Sequence, residues 1–515
     1  MAKRFNITGN CFREEHYMAD VSRKLAKVRE MIDIGEYFII NRPRQYGKTT
    51  TLFTLTDMLN ESGEYLALNI CFEGIGDIIP SHEDMFCETF VELLADETPE
   101  LKSWLMALAP QARSLKELAD AITLLCEKTP KKVVVFIDEV DKSSNNQLFV
   151  SFLAMLRNKY LSRSKKKTFH AVVLAGVHDV KSLKLKIRDG EEAKFNSPWN
   201  IAAEFKVDMN LQPFEIKPML DDYVAERGVK MDTAAMAEDL FYYTSGYPFL
   251  VSKLCKIMAE DILPTKETQE WTEADLQWAV KRLVLEKNTN GESLIKNLEN
   301  NPLLYQIVYQ MLVEGTFKDY NIYDPTIDMG IMFGIFKNGH GIKIHNKIYE
   351  ELIYHYMTSR TATELNALAY PIGKDFKLAN NALNMPLVLQ KFQAFMQEQY
   401  SKQDRDFLER QGRLVFLAFM KPILNGHGYD FKEVEISEER RLDVTITYYQ
   451  HKYVAELKIW RGQVAHEKGL NQLDDYLNRL KLTEGYLVIF DHSAVKTWDS
   501  EWITHNGKKN FIVWV

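Results

Sequence analysis

The chain has 515 residues, of which 46% are hydrophobic and 26% are charged, as in ordinary folded proteins. This composition excludes a disordered or low-complexity chain, and the net charge of −8 argues against a protein that coats nucleic acid through bulk electrostatics. The longest apolar runs are strand-length and no secretory signal is visible, so we expect no membrane segment and a cytoplasmic location. The five cysteines are isolated from one another, which predicts that they are reduced and serve as small buried residues.

The first 210 residues alternate short β-rich runs with helical patterns, which is typical of a parallel sheet covered by helices. The run at 133–137 (VVVFI) is apolar throughout, as expected for a central strand that is buried on both faces. Strands are predicted at 36–41, 65–71, 133–137 and 168–175, with helices at 48–60 and 148–161.

The rest of the chain, from residue 211, changes pattern several times. Residues 215–290 have helical patterns, interrupted by SGYP at 245–248. Helices are then followed by two short strands, at 330–336 and 342–345, which suggests a winged-helix module. The tail from residue 400 has the pattern helix, strand, turn, strand, helix, strand.

Residues 42–49 (RPRQYGKT) lie between a predicted strand and a predicted helix, where a phosphate-binding loop (P-loop) is found. Gly47 allows the backbone to approach phosphates, Lys48 can reach the β- and γ-phosphates, and Thr49 can ligate Mg²⁺. The usual first glycine of the motif is replaced by Arg42, so the loop by itself also fits an ordinary strand–turn–helix with a surface lysine.

The apolar strand at 133–137 ends in Asp138 and Glu139. Ligands of open α/β sheets bind at the carboxyl ends of the strands, so both carboxylates are expected beside the loop. We predict that Asp138 holds the Mg²⁺ ion and that Glu139 polarises the attacking water. Together the two motifs predict nucleotide binding and hydrolysis.

The segments FIINRPRQYGKTTTL, FIDEVD, LAGVHDV, NSPWNIA and TSGYPFLVSKLC together resemble the AAA-like ATPase domains of bacteria. The resemblance explains Arg42, because Arg-Pro-Arg replaces the first glycine region in those proteins, and it gives residues 176–178 the sensor-one position. Which arginine contacts the γ-phosphate stays open among Arg42, Arg44, Arg157 and Arg188. The nucleotide-binding residues are expected to be Arg44, Gln45, Tyr46, Gly47, Lys48, Thr49, Thr50 and Asp138, with Thr49 and Asp138 as the Mg²⁺ ligands.

A second pattern, D-x(12)-E-x-K, is formed in the tail by Asp443, Glu456 and Lys458 across a turn between two strands. Side chains alternate along a strand, so Glu456 and Lys458 share one face with Val454, whereas the residues between them face the other side. Asp443 and Glu456 can then meet at one divalent cation, where Lys458 acts on the charge of a phosphodiester. An exposed β-hairpin with ordinary charges is the alternative interpretation.

This hairpin is followed by a helix that carries Gln472 and Tyr476 four residues apart, and then by a strand. The order resembles the PD-(D/E)xK nuclease fold, in its RecB-type branch, over residues 400–515. The resemblance implies that Asp443 and Glu456 are metal ligands and that Lys458 is catalytic. It also makes Gln472 an accessory catalytic residue and Tyr476 a supporting one, and Glu409 and Glu435 compete for the role of a further carboxylate.

The sequence therefore predicts an α/β chain with an N-terminal P-loop NTPase parallel sheet, helical lid and winged helix, plus a C-terminal α/β restriction-endonuclease-like domain. The expected function is an ATPase coupled to a nuclease that acts on DNA, with RNA as the alternative substrate, in genome defence or mobile-element biology by analogy. The cofactors are ATP and Mg²⁺, with Mn²⁺ as an alternative at the nuclease site, and the protein is expected to be a monomer or small homo-oligomer. The competing hypothesis is an NTP-dependent signalling or scaffolding switch whose tail binds nucleic acid or protein without cleaving it. The predicted domains are 1–214 (ATPase core), 215–295 (lid), 296–360 (winged-helix-like module), 361–399 (linker) and 400–515 (nuclease-like domain).

Overall fold

The computed structural model describes the backbone of residues 2–75, 79, 82–140, 147–177, 184–188, 191–194, 198–312, 318–321, 323–339, 341–364, 376–402, 405–424, 428–432, 443–460, 463–491, 496 and 498–515. Side chains are described for the same residues except 184–188, 191–194, 198, 362–364, 398–402, 405–411, 421–422, 428–432, 443 and 463–466. The chain forms two compact units: unit 1 comprises Met1–Asn300 and Tyr320–Tyr349, and unit 2 comprises Asn301–Asp319 and Glu350–Val515.

Helices and strands alternate through the first part of unit 1, and helices dominate its later part. In chain order, the elements are α1 (Ser22–Asp33), β1 (Tyr37–Asn41), α2 (Lys48–Glu61), β2 (Tyr65–Cys71), α3 (Glu83–Asp96), α4 (Lys102–Leu108), α5 (Leu115–Lys128), β3 (Lys132–Asp138), α6 (Gln147–Leu161), β4 (Ala171–Gly176), β5 (Lys184–Arg188), β6 (Glu191–Lys194), α7 (Pro213–Arg227), α8 (Thr233–Thr244), α9 (Pro248–Ile257), α10 (Glu273–Leu285) and α11 (Thr289–Glu299).

The later elements are divided between the two units. They are α12 (Pro302–Leu312), α13 (Pro325–Met332), β7 (Phe336–Gly339), β8 (Gly341–Ile344), α14 (Lys347–Glu364), α15 (Met385–Lys402), α16 (Arg405–Leu424), β9 (Gly428–Lys432), β10 (Asp443–Tyr448), β11 (His451–Ile459), α17 (Gln463–Leu480), β12 (Glu484–Phe490), β13 (Ser500–His505) and β14 (Lys508–Trp514).

Unit 1 is built on a parallel sheet, as the sequence predicts, and its strand order is β1-β4-β3-β2. From Val133 to Asp138, every residue of β3 is buried, because the sheet is covered on both faces. A single parallel bridge from Phe38 to Ala203 continues the sheet beyond β1. The carboxyl ends of β1 and β3 therefore lie at the same edge, where the loop before α2 and the residues after β3 are placed together.

The strand predicted at 330–336 is displaced in the structure. Helix α13 continues to Met332, and Gly334 ends it with a φ of 71°, a left-handed conformation that favours glycine. The backbone N–H of Ile335 donates to the carbonyl of Gly330, which closes the helix end. The first strand of the hairpin is consequently Phe336–Gly339, and it pairs with Gly341–Ile344.

Unit 2 contains a six-stranded mixed sheet in the order β13-β14-β12-β11-β10-β9. Strands β9, β10 and β11 are antiparallel neighbours, whereas β12 is parallel to both β11 and β14. Helix α17 connects β11 to the parallel strand β12, as such a crossover requires. The structure adds β9, β13 and β14 to the strands predicted for the tail.

The two faces of this sheet are covered by different helices. Val454 packs with Leu473 and Leu477 of α17, whereas Ala455 and Leu457 belong to the core formed with α15 and α16. The alternation predicted for β11 is thereby confirmed. Helix α15 begins inside the range assigned to a linker at 361–399, and its buried apolar side chains make that part of the range an integral layer of unit 2.

The five cysteines are free thiols. Cys87, Cys126 and Cys255 are buried as expected, whereas Cys11 is half-buried and Cys71 is exposed. Burial raises the pKa of Cys87 to about 12, so this thiol stays protonated at neutral pH. Within the described part of the chain, every helix is too short or too polar to cross a membrane.

Candidate functional site

The phosphate loop of unit 1 connects β1 to α2. Gly47 immediately precedes α2 with a φ of 73°, so a left-handed glycine turns the chain into the first turn of the helix. The Nζ atom of Lys48 donates to the carbonyl oxygens of Arg42 and Pro43, at 2.9 and 3.0 Å. The Lys48 side chain thus curls back over the loop, at the position where an anion would replace the two carbonyl oxygens.

Thr49 and Asp138 meet at the carboxyl edge of the sheet. The Thr49 hydroxyl donates to Oδ2 of Asp138 at 2.7 Å, and the other oxygen of Asp138 accepts from the backbone N–H of Glu139 at 2.9 Å. Asp138 is buried, so its carboxylate is held in one orientation. Mg²⁺ prefers oxygen ligands, so the Thr49 hydroxyl and the Asp138 carboxylate fit the ion that the sequence predicts here.

A cavity of about 530 Å³ is lined by Glu139, the residue that follows Asp138, whereas Lys48, Thr49 and Asp138 are not among its lining residues. Arg44 and Gln45 of the loop line it, as do Glu139, which follows β3 with a φ of 55°, and Val177, which follows β4. Helix α11 contributes its first residues and Lys296 to the same lining. Predicted site residues from three separate strand ends therefore surround one cavity, and Lys296 is a cation that the sequence analysis missed.

The four arginines considered for the γ-phosphate have different environments. The guanidinium of Arg42 donates to the carbonyls of Asn41 and Val207, both at 2.9 Å, and lies 5.1 Å from the centre of the Phe205 ring. Burial lowers the pKa of Arg42. Arg42 therefore joins the loop to the segment between β6 and α7 and is not among the residues that line the cavity, whereas Arg44 is exposed and lines it.

Less of the environment is described for the other two arginines, Arg157 and Arg188. The Nε atom of Arg157, on α6, is buried and has no hydrogen-bond partner among the described residues. The side chain of Arg188 and all of His178 lie outside the described residues.

Tyr46 and Thr50, both expected to contact the nucleotide, are turned away from the cavity. Tyr46 is buried behind the loop, where its ring packs edge-on against Tyr247 at 4.6 Å between centroids. Burial raises the pKa of Tyr46, so its hydroxyl stays protonated. The Thr50 hydroxyl accepts from the backbone N–H of Cys11 at 3.3 Å and so joins α2 to the N-terminal segment.

In unit 2, Asp443 and Glu456 are directly opposite each other in the antiparallel pair β10–β11. The side chain of Glu456 is 1% exposed, and Lys458 Nζ lies 2.5 Å from its Oε1 atom. Its Oε2 atom is buried and has no hydrogen-bond partner among the described residues. Burial raises the pKa of Glu456, and the nearby charges of Lys458 and then Arg413 act in the opposite direction.

Helix α17 lies over this carboxylate. A Cβ atom added to Gly469 would lie 3.3 Å from Cγ of Lys458, so the lysine stem passes directly beneath the helix. Gln472 is one turn further along, and its Oε1 atom is also buried without a hydrogen-bond partner among the described residues. Two buried oxygen atoms that lack a donor match the ligand chemistry of a divalent cation.

Other predicted residues of this site are only partly described. Tyr476 is buried in the core beneath α17, with the Arg479 guanidinium 5.9 Å from its ring centre. The side chains of Asp443 and Glu409 and the whole of Glu435 lie outside the described residues. Among the described side chains, no group of three His, Cys, Asp or Glu residues is placed to hold a metal ion.

No protein-family model matches this chain, and no curated protein matches it. Similar solved structures include a Walker-type ATPase of Pyrococcus abyssi, at 14% identity and a TM-score of 0.47, over 68% of this chain and 99% of that one. RuvB of Thermotoga maritima, a Holliday junction branch migration motor, matches at 14% identity and 0.34, over 68% and 99%. ORC1 of Aeropyrum pernix, solved in complex with DNA, matches at 12% identity and 0.30, over 67% and 94%. These neighbours are P-loop ATPases.

Proposed function

We propose that unit 1 binds ATP with Mg²⁺ and hydrolyses it. The observation that carries the proposal is the 2.7 Å hydrogen bond between the Thr49 hydroxyl and Asp138, made beside a loop whose lysine is buried against the loop's own carbonyls. Mg²⁺ at Thr49 and Asp138 would neutralise part of the phosphate charge. The α/β fold and the cavity at the strand ends support a nucleotide at this position.

The loop residues have distinct tasks in this proposal. Lys48 exchanges its two carbonyl partners for phosphate oxygens, and the free N–H groups at the start of α2 bind the same anion. Glu139 lines the cavity and would orient the attacking water and take up its proton. Arg44 and Lys296 supply positive charge at the cavity wall.

Calorimetry with Mg²⁺·ATP, together with phosphate release, tests this function in the full chain. Lys48→Ala should abolish ATP binding, because it removes the ammonium that exchanges its loop carbonyl partners for phosphate oxygens. Lys287→Ala is the matched control: its ammonium is exposed and pairs with Glu292, outside the cavity lining. Equal ATP affinity in wild type, Lys48→Ala and Lys287→Ala would overturn the proposal.

We infer a second function for unit 2, that of a metal-dependent phosphodiesterase acting on DNA, with RNA as the alternative substrate. The observation that favours it is the buried Glu456 carboxylate, opposite Asp443, with an oxygen atom that lacks a donor and a lysine at 2.5 Å. Asp443 and Glu456 would hold Mg²⁺ or Mn²⁺. The ion would supply an activated water and stabilise charge on the phosphate.

The remaining residues act around that ion. Lys458 would bind the scissile phosphate and neutralise charge that develops on it. The Oε1 atom of Gln472 is an acceptor that suits the attacking water.

A cleavage assay with Mg²⁺ and Mn²⁺, on single-stranded, double-stranded and branched DNA and on RNA, tests the second function. Cleavage that requires the metal supports it. The absence of cleavage on every substrate, with binding retained, would favour the alternative in which the tail only binds nucleic acid or protein and unit 1 is an NTP-dependent switch.

A further inference from the structure

The loop residues Gln45 and Tyr46 are each held by side chains that lie far along the chain. Gln45 has a φ of 59°, which is unusual for a residue other than glycine, so contacts must stabilise this conformation. Asn290 donates from Nδ2 to Oε1 of Gln45 at 3.1 Å, and the Gln45 amide donates to the Thr289 hydroxyl at 3.3 Å. Both ends of the Gln45 amide are thus fixed by the start of α11.

Tyr349, in the first turn of α14, extends this chain of contacts. Its hydroxyl donates to Oδ1 of Asn290 at 2.9 Å. Tyr349 is 2% exposed and Asn290 is 7% exposed, so loss of the hydrogen bond between them would leave a buried polar group without its partner. The orientation of the Asn290 amide, and through it that of Gln45, therefore depends on the Tyr349 hydroxyl.

A second chain of hydrogen bonds ends at Tyr46. The Tyr46 hydroxyl contacts both Oδ1 of Asn210 and Nε2 of His345, the latter at 2.9 Å. The Asn210 amide nitrogen donates to Asp208, so its Oδ1 atom is an acceptor and must receive the single Tyr46 proton. His345 then donates from Nε2 to the Tyr46 oxygen.

The other ring nitrogen of His345 agrees with this assignment. Its Nδ1 atom faces the Nδ2 group of Asn346 at 3.3 Å and accepts from it. Burial, and then the charge of Lys337, lowers the pKa of His345 to about 3. The imidazole is therefore neutral at physiological pH, with its proton on Nε2 and aimed at Tyr46.

We propose that His345 and Tyr349 are positioning residues of the phosphate loop, which act through Tyr46 and Gln45. The proposal rests on the function proposed for unit 1 and adds that the hairpin region forms part of its nucleotide site. The energetic reason is that a buried polar group deprived of its partner must reorganise or remain unsatisfied. Losing either series of hydrogen bonds therefore releases the loop from the conformation that binds phosphate.

The test compares ATP affinity and the KM and kcat of hydrolysis in four full-length variants. Tyr349→Phe and His345→Leu should weaken ATP binding by about tenfold and raise KM more than they lower kcat. Tyr349→Phe loses the buried hydrogen bond to Asn290, which holds Gln45, and His345→Leu loses the buried hydrogen bond to Tyr46. His345→Gln should retain affinity, because its amide offers an N–H donor near the position of Nε2. Tyr37→Phe is the control, as it removes a buried hydroxyl that donates to the carbonyl of Phe169, away from the loop.

Hydrogen exchange of the loop amides at 42–48, measured without nucleotide, separates this inference from the function on which it rests. Faster exchange in Tyr349→Phe than in Tyr37→Phe supports the positioning role, even if wild type fails to bind ATP and the proposed function falls. Equal ATP affinity and equal loop exchange in Tyr349→Phe, His345→Leu and Tyr37→Phe would overturn it. A similar loss of melting temperature in Tyr349→Phe and Tyr37→Phe makes the comparison independent of stability.

Discussion

Gly334 packs directly on Pro43: a Cβ atom added to Gly334 would lie 2.7 Å from Cγ of the proline. The same glycine has a φ of 71°, so a side chain there meets both backbone strain and a steric clash. Helix α13 and the phosphate loop therefore touch at a point that only glycine fits.

We predict that Gly334→Ala destabilises the fold by about 2–3 kcal/mol and weakens ATP binding, because Pro43 must move to admit the methyl group. Gly228→Ala is the matched control, since Gly228 has a φ of 67° and open space around its Cα atom. Gly228→Ala should be destabilised only by backbone strain, by about 1 kcal/mol, and should keep its ATP affinity. Denaturant unfolding and calorimetry measure both effects, and equal losses in the two variants would contradict the contact.

Acid should destabilise the protein through His345. A histidine that is neutral in the fold with a pKa of about 3 binds fewer protons than the unfolded chain below pH 6.5. The contribution of His345 to the free energy of unfolding is complete above that pH. It is lost as the pH falls towards 3, at about 1.4 kcal/mol per pH unit. Between pH 6.5 and 5 wild type should therefore lose about 2 kcal/mol more than His345→Gln, measured by denaturant unfolding. If the free energies of unfolding of wild type and His345→Gln fell in parallel with pH, His345 would be protonated or exposed in the fold.

The residues that the sequence placed correctly are those whose position follows from local geometry. Lys48, Thr49 and Asp138 lie at strand ends of a parallel sheet, and the topology of such a sheet brings its carboxyl ends together. Glu456 and Lys458 share a face because side chains alternate along a strand. In these cases a short pattern fixes the geometry without knowledge of distant contacts.

The contacts that the sequence does not predict depend on packing between distant segments. Gln45 and Asn290 are separated by 245 positions, and nothing in either local pattern indicates that they meet. The linker predicted at 361–399 includes the start of α15, whose second residue is Pro386, and proline is well tolerated in the first turn of a helix. Likewise, Gly330 and Gly334 both fit a helix end, and tertiary contacts select the second.

We expect Glu139→Gln to bind ATP like wild type and to hydrolyse it at least 100-fold more slowly, because the amide keeps the shape of the side chain but cannot take up a proton. Glu64→Gln, an exposed glutamate just before β2, should hydrolyse ATP normally. Single-turnover phosphate release with radiolabelled ATP measures the rate, and filter binding shows whether ATP is retained. Wild-type turnover in Glu139→Gln would assign the water to a different residue.

Removal of the metal ligands and removal of the lysine should give different phenotypes in unit 2. Asp443→Ala and Glu456→Ala each leave too few oxygen ligands, so both should lose metal binding and cleavage while ATP hydrolysis survives. Lys458→Met keeps the aliphatic stem under Gly469 but loses the charge, so it should bind Mn²⁺ and cleave at least 100-fold more slowly. Lys452→Met, on an exposed position of the same strand, is the control and should cleave normally. Titration with Mn²⁺ and a gel-based cleavage assay distinguish the two phenotypes, and cleavage that persists in all three site variants would place the nuclease chemistry outside this pair of strands.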